Sequence, residues 1–144
     1  MSLSRNGAQM LRLRKPNLIV LDSSAVLAVL RDEKGADVAI DMMQHGVISA
    51  INLGEVVQVQ LRDGISRAEI EQAMDEWDIP VVNVDAELAY MAAEMRATAL
   101  VIGMSQADCI CLALAKREGV AALTGDRKWA GIADAIGVEV QLIR

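Results

Sequence analysis

Leu18-Ile19-Val20-Leu21 is an unbroken apolar run that stops at Asp22-Ser23-Ser24, and this junction restricts the fold more than any other stretch of the chain. A strand with one wet face alternates apolar and polar residues. Four apolar residues in succession, then a cluster of helix-capping residues, describe a strand covered on both faces that feeds a helix. The rest of the chain repeats the arrangement. Helices are predicted over 24–31 and 36–43, then a strand over 47–50. A helix opens at Asn52 with Leu53, Val56, Val57 and Leu61 on one face and stops at Asp63-Gly64. An amphipathic helix follows over 66–77, with Ile70, Ala73, Met74 and Trp77 at helical spacing, and a strand over 79–84. Leu88, Ala92, Met95 and Ala99 mark a long helix; 105–117 forms another, apolar all round at Ile110-Cys111-Leu112-Ala113-Leu114-Ala115 and therefore central. A strand over 120–124, a helix over 128–135 and a closing strand over 138–143 complete the pattern. The alternation predicts an α/β three-layer sandwich: a mostly parallel central sheet of four to five strands with helices on both faces.

The 144 residues, 53% of them hydrophobic, suit one core. Residues 1–16 read as a flexible basic arm, because Arg5, Arg12, Arg14 and Lys15 occur there without an acid and without periodicity. Residues 17–144 are the expected folded domain. The longest stretch free of Asp, Glu, Lys and Arg, 42–54, holds 13 residues, short of the roughly 20 that span a bilayer. With no secretory pattern at the N-terminus, a cytoplasmic location is expected.

The side-chain inventory narrows the chemistry. There is one histidine, His45, which reads as a loop residue, so Cys/His zinc sites and His-based triads have little to work with. Cys109 and Cys111, two positions apart on a helix, point to different sides and read as buried free thiols. Carboxylates must carry any catalysis. Without the arm the chain has 10 basic and 20 acidic residues, a net charge of −10. That charge opposes polyanion binding unless metal or a local basic patch compensates it.

In open α/β sheets ligands bind beyond the carboxyl ends of the strands. Asp22 directly follows the first strand, Glu55 sits in the helix after the second, Asp126 follows the fourth by one glycine, and Asp108 begins the central helix. Each also has a structural explanation. Asn52-Leu-Gly-Glu55 and Ser105-Gln-Ala-Asp108 resemble capping boxes, and Asp22 and Asp126 suit helix N-caps. Convergence at one sheet edge is the stronger consideration, since each like-charged pair costs about 1 to 4 kcal/mol at 4 Å and four such groups call for a cation. All-oxygen ligation suits Mg²⁺ or Mn²⁺, which can activate water against a phosphodiester. Ser23, Asn52 and Thr124 flank the acids and are placed to orient them.

These motifs, taken in order, resemble the PIN-domain family and, within it, the VapC-type toxins of toxin–antitoxin pairs. Ile19-Val-Leu-Asp22-Ser-Ser-Ala-Val-Leu-Ala28 is similar to the first-strand motif, Asn52-Leu-Gly-Glu55 to the second, Ser105-Gln-Ala-Asp108 to the third, and Leu123-Thr-Gly-Asp126-Arg-Lys-Trp129 to the fourth. The resemblance runs from about Leu18 to Arg144. It implies a PIN-like sandwich and a Mg²⁺-dependent endoribonuclease whose metal ligands and catalytic residues are Asp22, Glu55, Asp108 and Asp126. It further implies structured RNA such as transfer RNA as substrate, a homodimer, and silencing by an antitoxin. The 16 residues before the first strand, and Cys109 where some relatives carry a basic residue, depart from the family pattern and bear on RNA selection. For that substrate Arg127 and Lys128 are the best-placed cations, with Arg96, Lys116 and Arg117 as further candidates. Apolar helices over 25–30 and 56–61 suit an antitoxin groove. Two other readings exist: a phosphoaspartate signalling receiver, which would show adjacent acids after its first strand, and a non-catalytic PIN-like interaction module.

Overall fold

The computed structural model describes Leu11, residues 15–98 and residues 103–144. Five strands, β1 (Ile19–Leu21), β2 (Gly46–Ser49), β3 (Val81–Val82), β4 (Ala121–Thr124) and β5 (Val140–Leu142), form one sheet in the order β3-β2-β1-β4-β5. Every neighbouring pair is parallel. The expected α/β sandwich is present, with a sheet that is parallel throughout.

The apolar run at β1 explains the layering. Ile19 and Leu21 join one core cluster while Leu18 and Val20 join the other, as side chains alternate across a sheet buried on both faces. Helices α1 (Ser23–Leu30), α2 (Ala36–Met43), α3 (Ala50–Arg62) and α4 (Arg67–Glu76) supply the first cluster through Ala25, Val26, Met43, Val56, Ile70 and Met74. On the opposite face lie α5 (Ala86–Arg96), α6 (Gln106–Glu118), a 3-10 turn (Arg127–Gly131) that buries Trp129, and the short α7 (Ala133–Ile136). The all-apolar centre of α6, from Cys109 to Ala115, is buried on every side, as its sequence demands.

Several boundaries differ from expectation for identifiable reasons. The helix expected from Asn52 starts at Ala50, because Ser49 is its cap and its hydroxyl accepts from the Asn52 N–H at 3.0 Å. The strand expected over 79–84 shrinks to Val81–Val82, behind Pro80, whose carbonyl accepts from Ile48 N–H. The helix expected over 128–135 is split into the 3-10 turn and α7. Ala99 and most of the 1–16 arm lie outside the described residues. Near the arm's end Lys15 is buried and its Nζ donates to Gly46 O at 2.8 Å. Among the described residues no helix is long and apolar enough to cross a membrane.

Strand order positions the site. The chain moves outward from β1 through β2 to β3, then returns to place β4 on the other side of β1 and β5 beyond it. The direction reverses between β1 and β4, and the crevice at the carboxyl ends of strands flanking such a reversal is where α/β proteins bind ligands. β1 is also tightly enclosed: a Cβ on Gly46, opposite Ile19 in β2, would collide with the Leu21 side chain. Gly46→Ala is therefore expected to cost about 1–3 kcal/mol by overpacking, read as a lower urea midpoint with unchanged m; an unchanged midpoint would show that Leu21 repacks without cost.

Candidate active site

Asp22 stands at the N-cap of α1 and yet caps nothing. Its side chain turns from the helix amides toward two hydroxyls: Oδ2 accepts from Ser24 Oγ at 2.6 Å and from Thr124 Oγ1 at 2.8 Å. Oδ1 is buried without a hydrogen-bond partner among the described residues, in a residue only 3% exposed. The backbone holds it there, since Asp22 N–H extends the β1–β4 ladder to Leu123 O at 2.9 Å. Burial pushes its pKa up from 3.8 to about 6; the two hydroxyls oppose that shift, and the nearby Asp108 and Glu55 charges reinforce it.

The hydroxyls extend the network across β4. Ser24 Oγ accepts from Gly125 N–H at 2.9 Å and lies 3.2 Å from Thr124 Oγ1, which accepts from Asp126 N–H at 3.0 Å. Glu55 joins from the other side, half-buried in α3, with Oε1 accepting from Ser23 Oγ at 2.9 Å and Asn52 Nδ2 at 3.3 Å. The capping box expected at Asn52 and Glu55 is absent, because the helix starts two residues earlier and frees both side chains for tertiary contacts. Asn52, fully buried, accepts from Ser49 Oγ at 2.5 Å and donates to Ala107 O at 3.2 Å, tying α3 to the start of α6 one residue before Asp108.

Asp108 and Asp126 do cap, as their positions suggested. Asp108 Oδ2 accepts from Ser105 N–H at 3.0 Å in a complete capping box, and Asp126 Oδ1 accepts from Lys128 N–H at 3.0 Å. In each case the other carboxylate oxygen accepts nothing among the described residues, so capping leaves one oxygen of each acid available. As the side chains stand, no group of three or more His, Cys, Asp or Glu among the described residues is close enough to hold a metal ion. The four acids are brought to one edge of the sheet, with Asp22 and Glu55 linked through adjacent serines and Asp126 through Thr124. The donor set and the orphaned Asp22 Oδ1 fit a hard divalent cation: a buried carboxylate oxygen without a donor is an incomplete polar group that a cation completes.

The acids' field reaches into the core. Burial and the negative charges of Asp22, Asp108 and Glu55 push the Cys111 thiol well above its usual range, and burial with Asp108 raises Cys109 against the opposing charge of Arg96. Both cysteines are free and buried, inert thiols as expected. Among the candidate cations, Arg127 and Lys128 are exposed beside Asp126, and Arg96, exposed in the last turn of α5, lies on the Asp108 side. Lys116 and Arg117 are not brought there. They close α6 eight and nine residues after Asp108, about 12 Å along the axis, and Arg117 Nη1 donates to both Asp85 oxygens at 3.1 and 3.0 Å. Sequence reasoning missed two residues. Ser24, read as helix, is a hub for Asp22, Thr124 and Gly125; Arg144, beyond the last strand, packs over Gly125. For Ser24 the repeated serine after Asp22 was the available signal; for Arg144 there was none.

A parallel sheet with carboxylates gathered at its reversal point defines a small acid-based α/β domain. Residues 19–135 match the PIN domain family model, and the chain belongs to that family, which sets aside the receiver reading. No curated protein matches at a significant level. Among solved structures the chain is similar to a toxin–antitoxin complex from Klebsiella pneumoniae (18% identity, 88% of this chain and 98% of that one, TM-score 0.66). It is also similar to VapC20 of Mycobacterium tuberculosis, a sarcin–ricin loop cleaving toxin (21%, 78% and 92%, TM-score 0.64), and to DNA-bound VapBC of Salmonella typhimurium (16%, 88% and 98%, TM-score 0.64). At these identities the likeness is one of fold.

Asp22 makes the site's electrostatic strain measurable. A carboxyl with a pKa of 3.8 unfolded and about 6 folded binds its proton more tightly in the native state. Between those values the folded protein holds more protons, so this residue's contribution to stability falls as pH rises through that window, by about 3 kcal/mol in all. Asp22→Asn keeps the shape without the charge. In EDTA the variant is expected to be more stable than the parent at pH 7, with the gap closing toward pH 4. Urea titrations across that range check this, and parallel pH profiles would contradict it.

Proposed function

We propose that this protein is a Mg²⁺- or Mn²⁺-dependent endoribonuclease, the toxin of a toxin–antitoxin pair, acting on structured RNA such as transfer RNA. The observation that carries the reading is the buried, uncapping Asp22 with its orphaned oxygen, joined by hydroxyls to Glu55 on one side and to the Asp126 turn on the other. Family membership and the toxin structures of like fold support it. Asp22, Glu55, Asp108 and Asp126 are the residues that would hold the metal. A bound divalent ion would lower the pKa of a water and neutralise charge on the phosphodiester.

The chain's own residues prepare that chemistry. Ser24 and Thr124 hold Asp22 Oδ2 so that Oδ1 is the oxygen left to offer, while Ser23 and Asn52 fix Glu55 Oε1. Arg127 and Lys128 place positive charge beside Asp126, where an RNA backbone would otherwise meet four acids. With only Tyr90, Trp77 and buried Trp129 as aromatics, base stacking has little support, and recognition by shape and backbone is the favoured mode. We place the protein in the cytoplasm as a homodimer silenced by an antitoxin. A groove of about 550 Å³ between α3 and α4, lined by Leu53, Val57, Leu61, Ile70 and Met74, suits an amphipathic segment of that partner. A non-cleaving PIN-like module would share the fold and differ in the assay below.

End-labelled total transfer RNA incubated with the protein and Mg²⁺ should give discrete cuts that EDTA removes. Asp22→Asn should lower the rate at least about a hundredfold, nearly 3 kcal/mol in barrier. Cuts that persist in the variant would remove Asp22 from the mechanism. A second, activity-free readout is thermal: Mg²⁺ at about a hundred times its Kd adds about 2.7 kcal/mol and raises Tm by several degrees. The shift should vanish in Asp22→Asn, and its absence in the parent would refute the shared metal site.

A further inference from the structure

We propose that Arg144 is a substrate-contacting residue, a preset phosphate clamp at the edge of the acidic site; this rests on the ribonuclease reading above. β4 and β5 run parallel with Thr124 opposite Leu142, so the chain leaving β5 arrives beside the turn leaving β4, on the edge that carries the acids. There the Arg144 side chain crosses the Thr124-Gly125-Asp126 turn. A Cβ on Gly125 would lie 3.0 Å from Nη2, 3.1 Å from Cζ and 3.1 Å from Nε. Near-equal distances to three atoms of a planar group place the guanidinium face-on over the glycine, which has no side chain to displace it. Gly125 sits between two residues of the site network, Thr124, bonded to Asp22, and Asp126.

The group is held without being consumed. Nη1 donates to Lys34 O at 2.9 Å, fastening it to the α1–α2 loop, and that loop is itself seated on the end of β5: Gly35, at φ +93°, approaches Ile143 O so closely that a Cβ would collide with it. Nη2 and Nε donate to nothing among the described residues, and no carboxylate there forms an ion pair with Arg144. A guanidinium fixed at one nitrogen, with two others free on one side of the fork, is arranged for bidentate hydrogen bonding to a phosphate. Arg127 leans in, its Nε donating to Arg144 O at 3.3 Å, and Lys128 follows. Three cations thus border Asp126, in a domain whose charge beyond residue 16 is −10, and they lie where a polyanion must approach. An immobilised arginine loses less entropy on binding than the solvated Lys128.

The test uses the Asp22→Asn protein, which should hold RNA without cutting it, and filter retention of end-labelled bulk cellular RNA from 50 to 200 mM KCl. Adding Arg144→Gln should raise Kd about tenfold at 100 mM and make the log–log salt slope shallower by about 0.7 to 0.9, the share of one phosphate. Arg144→Lys should keep the slope and regain part of the affinity. Gly125→Ala, which leaves the arginine but displaces it, should weaken binding as well. A purely structural role, exerted through Lys34, would lower Tm and leave the slope as it was; unchanged Kd and slope in Arg144→Gln overturn the proposal while the nuclease reading stands. If the Asp22→Asn protein retains no RNA at any salt while the unaltered protein cuts transfer RNA, this proposal fails and the nuclease reading stands; with neither retention nor cutting, both fail.

Discussion

A carboxylate buried at the end of the innermost strand is costly, and the arrangement around it follows from that cost. Asp22 cannot move outward, because its amide is part of the β1–β4 ladder. Among the described residues its side-chain hydrogen-bond partners are two hydroxyls and no base. The chain instead surrounds one oxygen with hydroxyls and leaves the other with nothing, a combination that lowers stability in the isolated protein and favours whatever positive charge arrives. Ser24 and Thr124, separated by a hundred residues in sequence, are held within 3.2 Å of each other by their shared attachment to that oxygen.

The same economy recurs at the other acids. Asp108 and Asp126 each use one oxygen to finish a helical turn and keep one in reserve, so a functional group is positioned by the interaction that stabilises its own element. Asn52 does comparable work in the interior, connecting Ser49, Glu55 and Ala107 and thereby aligning α3 with α6. A capping or connecting role therefore does not use up the polar capacity of these side chains. A carboxylate has two oxygens, and an amide has both a donor and an acceptor.

Much of this was legible in the sequence where local rules and tertiary context agree. The doubly buried strand at 18–21 and the all-apolar α6 announced the layers, and Ser105 with Asp108 closed the capping box that their spacing suggested. The reading slipped where a side chain had a better partner at a distance. Asn52 looked like a cap and is a buried connector; Asp22 looked like a cap and avoids the role. The stretch after Asp126 looked like one helix, but burying Trp129 winds it into a 3-10 turn first. Arg144 carried no periodicity and no motif, and only the pairing of β5 with β4 shows what it stands beside. Pairings between strands far apart in sequence have no local signature, which is why Ser23, Asn52 and Thr124 were legible as neighbours of the acids while the particular acid each one holds, and the part played by Ser24, were not.

The distance between Asp22 and Thr124 along the chain also bears on when this site can exist at all. Translation proceeds at about 5–20 residues per second, so roughly 5–20 s separate the emergence of β1 from that of β4, the strand that pairs beside it and supplies the hydroxyl for its carboxylate. During that interval the nascent chain carries Asp22, Glu55 and Asp108 but no β4 to align them. A site built this way cannot be assembled until nearly all of the domain has been released.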